Sequence, residues 1–142
     1  MKQIIFFLIS VNILIFPAYA TADVIVIANE SVPESSISKL DLQLIFLGKK
    51  KSWDNGGIIK PAMLKSGTTH EEFIERYIQK TVLKFSSFWK NAILSGTGLP
   101  PKSFSIEKDL VKYVAGKKNA VGYISSDTPH ADSGVKVLEL IK

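Results

Sequence analysis

The sequence predicts an α/β fold: a single three-layer domain with a mostly parallel sheet flanked by helices. Three observations point there. Strand-like apolar runs alternate with helical patterns from residue 23 to the end of the chain, the order expected of a layered α/β domain. Asp23-Val24-Ile25-Val26-Ile27-Ala28 is apolar without alternation, the pattern of a strand covered on both faces. Residues 21–142 are enough chain for one core and too few for two.

Each element follows from local chemistry. After strand 24–28, Asn29-Glu30-Ser31-Val32-Pro33-Glu34 reads as turn and loop. Ser36 or Ser38 caps a helix through Leu47, with Ile37, Leu40, Leu44 and Leu47 as its apolar stripe and Gly48 as the residue that ends it. A basic loop, Lys49 to Gly57, leads into a strand over 58–64. Ser66-Gly67-Thr68-Thr69 then opens a helix to about Lys80 that places Phe73, Ile74, Tyr77 and Ile78 on one face. Ser86 or Ser87 opens a helix carrying Phe88, Trp89, Ala92 and Ile93, and Gly96 to Pro101 breaks it. Ser105 caps a helix that ends at Gly116, with Ile106, Leu110, Val111 and Val114 inward. Ala120 to Ile124 is a short buried strand, Asp127 to Gly134 a polar loop, and Val135 to Leu140 a half-buried strand.

Residues 1–20 read as a signal peptide rather than as part of the fold. Lys2 supplies a positive start, Ile4 to Phe16 an apolar run, and Ala18-Tyr19-Ala20 a small-residue cleavage signature, with cleavage after Ala20 or Ala22. The run is shorter than the roughly 20 apolar residues a membrane span needs, so the mature form is expected to be exported, periplasmic and without a span. There is no cysteine, so the exported domain depends on its core alone. The net charge is +5, of which Lys2 contributes one. That modest excess suits a small anion or an acidic partner and does not argue for nucleic acid. The Lys49-Lys50-Lys51 run beside Trp53 reads as a solvated loop, and Trp53 and Trp89 as packing residues. His130 with Asp127 and Asp132 matches no metal-ligand spacing. No nucleophile elbow, metalloprotease helix, phosphate-binding Walker loop or dinucleotide fingerprint is present, so neither an enzyme nor a cofactor is expected.

The candidate site is the Ser66-Gly67-Thr68-Thr69 turn. A glycine among hydroxyl residues, where a strand hands over to a helix, can offer free amides, two or three hydroxyls and the positive end of the helix dipole to an oxyanion. The plainer reading is that Thr68 or Thr69 caps the helix. His70 follows directly and is either a lesser contact or an exposed first-turn side chain. In a parallel sheet, ligands gather at the carboxyl ends of strands, which would bring Asn29 and Ser31, at the end of strand 24–28, to the same face.

Three ordered patches resemble one family. Ile45-Phe46-Leu47-Gly48-Lys49-Lys50-Lys51-Ser52-Trp53-Asp54 is similar to the IFxGKxxxWxD segment of the phosphate-binding proteins of ABC importers. Ser66-Gly67-Thr68-Thr69 followed by Phe73 resembles their SGTxxxF phosphate turn. Trp89, the Gly96–Gly98 loop, and Val111 with Val114 ahead of Asn119-Ala120-Val121-Gly122-Tyr123-Ile124 resemble their GAIGY region. The resemblance covers nearly all of 23–142 and implies a type II periplasmic-binding-protein lobe. Family members close two lobes on the ion, and this chain matches the second. The family's arginine, four residues before the serine, is Ala62 here; the nearest cation is Lys65. The resemblance therefore implies a phosphate or similar oxyanion held weakly by Ser66, Gly67, Thr68, Thr69 and Lys65, at roughly millimolar strength or about −4 kcal/mol. A homodimer facing two such turns together would replace the missing lobe. The alternative is an interaction or adaptor domain of the cell envelope, docking a protein partner through the face that a lost lobe once covered.

Overall fold

The computed structural model describes residues 13–16 and 22–142. The expected signal peptide and its Ala20 cleavage point lie outside the described residues, apart from 13–16, which are exposed and without regular structure. Among the described residues, no helix is long and apolar enough to cross a membrane.

The elements are β1 (Val24–Asn29), β2 (Ser36–Ser38), α1 (Lys39–Phe46), β3 (Lys60–Leu64), α2 (Thr68–Phe73) running on into a π-helical turn (Ile74–Ile78), α3 (Val82–Ser95), β4 (Lys102–Phe104), α4 (Glu107–Gly116), β5 (Ala120–Ser125) and β6 (Val135–Ile141). The strands form one sheet in the order β2-β6-β1-β5-β3-β4. β3 runs parallel to both β4 and β5, and β2 parallel to β6, while β1 runs antiparallel to β5 and to β6. Five strands therefore point one way and β1 alone opposes them.

Side-chain alternation on β5 shows how the layers are built. A Cβ on Gly122 would meet Leu110 and Val114 of α4, whereas the next residue, Tyr123, stacks on Phe73 of α2. Phe46 of α1 packs edge-on to both Phe73 and Tyr123, and Phe85 of α3 meets His70. So α1, α2 and α3 cover one face and α4 the other. Val26, Ile27, Ala28, Val121, Tyr123 and Ile124 are wholly buried between them, as a continuous apolar run requires. Trp53 and Trp89 are packing residues, with indole N–H groups donating to Asn119 O and Phe46 O.

Several boundaries moved for definable reasons. Ser38, not Ser36, caps α1, its Oγ accepting from Asp41 N; Ser36 lies in β2. Gly48 takes φ +73° at the helix end, and a Cβ there would sit 2.9 Å from the Trp89 ring. Ile58 makes only an isolated bridge with Ser52, so β3 starts at Lys60. α3 begins earlier than Ser86 or Ser87, because Thr81 Oγ1 accepts from Lys84 N and caps it. α4 has no side-chain cap; Ile106, not Ser105, precedes it. The helix expected to about Lys80 instead widens to π geometry after Phe73 and stops at Gln79, which adopts a left-handed φ of 60°.

Candidate functional site

The Ser66-Gly67-Thr68-Thr69 turn is held by bonds on either side of it. Lys65 N donates to Phe104 O (2.9 Å) as β3 leaves β4, and Leu64 N donates to Tyr123 Oη (3.0 Å). Beyond the turn, Phe73 lies flat on Tyr123, ring centroids 3.7 Å apart and 8° from parallel, with Phe46 edge-on at 4.9 Å. The turn is thus clamped to β5 through one tyrosine, by its hydroxyl and by its ring.

Gly67 occupies the capping position with φ +100°, a conformation suited to glycine, and no side chain caps the helix. Neither Thr68 nor Thr69 is the cap, contrary to the plainer expectation. The first helical bond is Glu71 N to Gly67 O. No hydrogen bond among the described residues engages the amides of Ser66, Gly67, Thr68 and Thr69, nor their hydroxyls. Ser66, Gly67 and Thr68 are exposed and Thr69 half-buried. They line an open depression of about 330 Å³ together with Leu64, Ser105, Ile106 and Glu107.

Glu107 was not anticipated. It stands in the first turn of α4, where an acidic side chain suits the helix dipole, and no motif in the sequence ties it to the turn forty residues earlier. Its Oε1 accepts from Ser125 N and its Oε2 from Thr128 Oγ1 (2.8 Å). A carboxylate already holding two donors therefore borders the depression and sets a negative charge against any anion in it.

The remaining candidates lie elsewhere. Because β1 opposes β3, its carboxyl end is at the opposite end of the sheet from the turn, and the expectation that Asn29 and Ser31 join the site is corrected. Asn29 Nδ2 donates to Val114 O and Ala115 O at the end of α4 (both 2.9 Å), and Ser31 Oγ accepts from Asn119 N (2.9 Å). Both are structural. His70 is 4 % exposed, not an open first-turn residue, and its Nδ1 lies 2.6 Å from Tyr123 Oη. Burial holds its imidazole below the ordinary value, against a smaller opposing pull from Glu71, and burial raises the Tyr123 phenol. Lys65 and His70 line a second groove, on the α3 side, and not the depression. No group of three or more carboxylate, imidazole or thiol side chains among the described residues is arranged to hold a metal.

No protein-family model and no curated protein matches the sequence. Solved structures do match in fold. An ABC-type phosphate transport receptor from Vibrio cholerae superposes with a TM-score of 0.63 at 14 % identity, over 85 % of this chain and 47 % of that one. PstS from Borrelia burgdorferi gives 0.66 at 13 %, over 85 % and 48 %. The phosphate-binding protein from Stenotrophomonas maltophilia gives 0.63 at 16 %, over 84 % and 39 %. The fold is that of phosphate receptors of ABC transporters. The chain spans less than half the length of these receptors. The first is named for transport and the third for binding, and none of the three for catalysis. At these identities the likeness fixes the architecture and leaves the ligand to the site's own chemistry.

Proposed function

We propose that the chain is an exported, non-enzymatic solute-binding-like protein that takes a small oxyanion, phosphate foremost, at the Ser66-Gly67-Thr68-Thr69 turn. The observation that carries this reading is a hydroxyl-rich helix start, exposed and clamped in place, whose amides have no partner among the described residues. Each amide and hydroxyl aimed at an anion makes a charge-assisted hydrogen bond, and the glycine lets the backbone approach closely. The fold shared with phosphate receptors supports the same ligand class. Binding is weak. The depression is open to water, which screens each contact, and no arginine borders it.

Isothermal titration of the mature protein with inorganic phosphate tests this. The expected constant is roughly millimolar, and Thr68→Val weakens it about tenfold by removing one donor to a charged group. A sub-micromolar constant overturns the weak-binding part. Unchanged binding by Thr68→Val reduces the turn to a helix start.

A further inference from the structure

On the α3 side of β3 lies a groove of about 320 Å³, separate from the depression at the turn. His70 closes its floor, Phe85, Trp89 and Pro100 are among its walls, and Lys65 and Lys90 border it. No carboxylate lines it.

The hydrogen-bond count at the floor fixes which proton His70 presents. Tyr123 Oη accepts from Leu64 N, so its own single proton needs an acceptor, and the atom within reach is His70 Nδ1, 2.6 Å away. Were Nδ1 the donor instead, the phenol proton would be buried without a partner, because Tyr123 is wholly buried. Nδ1 is therefore the acceptor, and the proton of the neutral ring sits on Nε2. Nε2 has no partner among the described residues, yet it is not among their fully buried unpaired side-chain atoms, so it opens onto the groove it lines. The groove thus combines one fixed N–H donor on its floor, aromatic and aliphatic walls, and two lysine ammonium groups at its edge.

We propose that this groove binds a small organic carboxylate with a compact ring or branched hydrocarbon body. The carboxylate accepts from His70 Nε2–H and is held electrostatically by Lys65 and Lys90. The apolar body displaces water from Phe85, Trp89 and Pro100. The volume sits at the low end of small-ligand sites, about 300–1,000 Å³, so a single-ring acid fits and a nucleotide does not. A bare inorganic anion is disfavoured, since the apolar walls would strip its hydration without replacing it. Inorganic phosphate belongs at the turn, on the other side of Leu64.

The test is a nuclear magnetic resonance titration of the isotope-labelled protein with phenylacetate, its neutral analogue benzyl alcohol, and inorganic phosphate. Phenylacetate is expected to shift the His70 imidazole and the Trp89 indole N–H and to leave Trp53, far from the groove, in place. Benzyl alcohol is expected to bind at least about fivefold more weakly, and Lys90→Gln, an exposed substitution, to weaken phenylacetate by about threefold. Phosphate is expected to move the Ser66–Thr69 amides and not His70. No response at His70 or Trp89 up to about 20 mM phenylacetate, well past the millimolar range, overturns the site. Equal binding of benzyl alcohol overturns its selection for carboxylates. Phosphate shifting His70 instead of the turn overturns the separation of the two sites.

Discussion

Replacing Tyr123 by phenylalanine isolates one hydroxyl at the centre of the molecule. The ring stays, so its stack on Phe73 and its edge contact with Phe46 are kept. What goes is an acceptor for Leu64 N and a donor to His70 Nδ1, both in the buried region. Each buried polar group left without a partner costs about 1–3 kcal/mol, and His70 cannot escape by moving its proton, because Nδ1–H would then need an acceptor that is no longer there. The expected loss is about 2–4 kcal/mol, a large share of the roughly 5–15 kcal/mol that holds a domain of this size together. Urea unfolding followed by tryptophan fluorescence measures it: with a slope of about 1–3 kcal/mol per molar, the midpoint falls by roughly 1–3 M while the slope stays constant. A loss below about 0.5 kcal/mol would refute both the clamp on the turn and the proton placement on His70.

Other perturbations follow from the same geometry. His70 is held below its ordinary imidazole value by burial, so the unfolded chain takes up its proton first as the solution is acidified. Stability is then full above about pH 6.5 and falls below it by at most about 1.4 kcal/mol per pH unit; His70→Gln flattens that part of a pH series of urea midpoints, and an unchanged slope removes His70 as its source. Gly122→Ala puts a methyl 2.8 Å from Leu110 Cδ2 and 3.3 Å from both Ala62 O and Val114 Cγ2, and is expected to cost about 1–3 kcal/mol and several degrees of Tm by calorimetry. Glu107→Gln removes a negative charge from the border of the depression, so sulfate binding by titration rises about fivefold, worth roughly 1 kcal/mol of relieved repulsion near the surface.

The parts that were legible in the sequence are those whose signal is local. β1 and β5 announced themselves as uninterrupted apolar runs, and the ends of α1 as Gly48 and one of two serines, Ser36 or Ser38, of which Ser38 makes the bond. β2 and β4 were not legible: strands of three residues are too short to show alternation, and pairing alone defines them. The direction of β1 was invisible for a related reason. It is set by pairing with β5, about a hundred residues away, and with β6. That one fact removed Asn29 and Ser31 from the site and gave them structural work at the other end of the sheet. Caps misled where several hydroxyls competed: Ser86 and Ser87 lie inside α3, while Thr81 five residues earlier makes the bond. His70 looked exposed because it adjoins an exposed turn; one step along the helix rotates it onto Tyr123.

The turn we propose as an anion receptor is built almost without charge. Ala62, where the resemblance would put an arginine, is wholly buried in β3, with its carbonyl oxygen 3.3 Å from the point a Gly122 Cβ would occupy, so a guanidinium there would have to displace core. Lys65 borders the neighbouring groove, and the ionic group lining the depression is the carboxylate of Glu107. Amides and hydroxyls must hold the ligand alone, against one negative charge. Such a site favours an oxyanion that still carries a proton, whose lower charge reduces the repulsion, over one that is fully ionised. Dihydrogen phosphate near pH 6 meets that condition and sulfate does not, so the small preference the turn can express comes from charge rather than from shape.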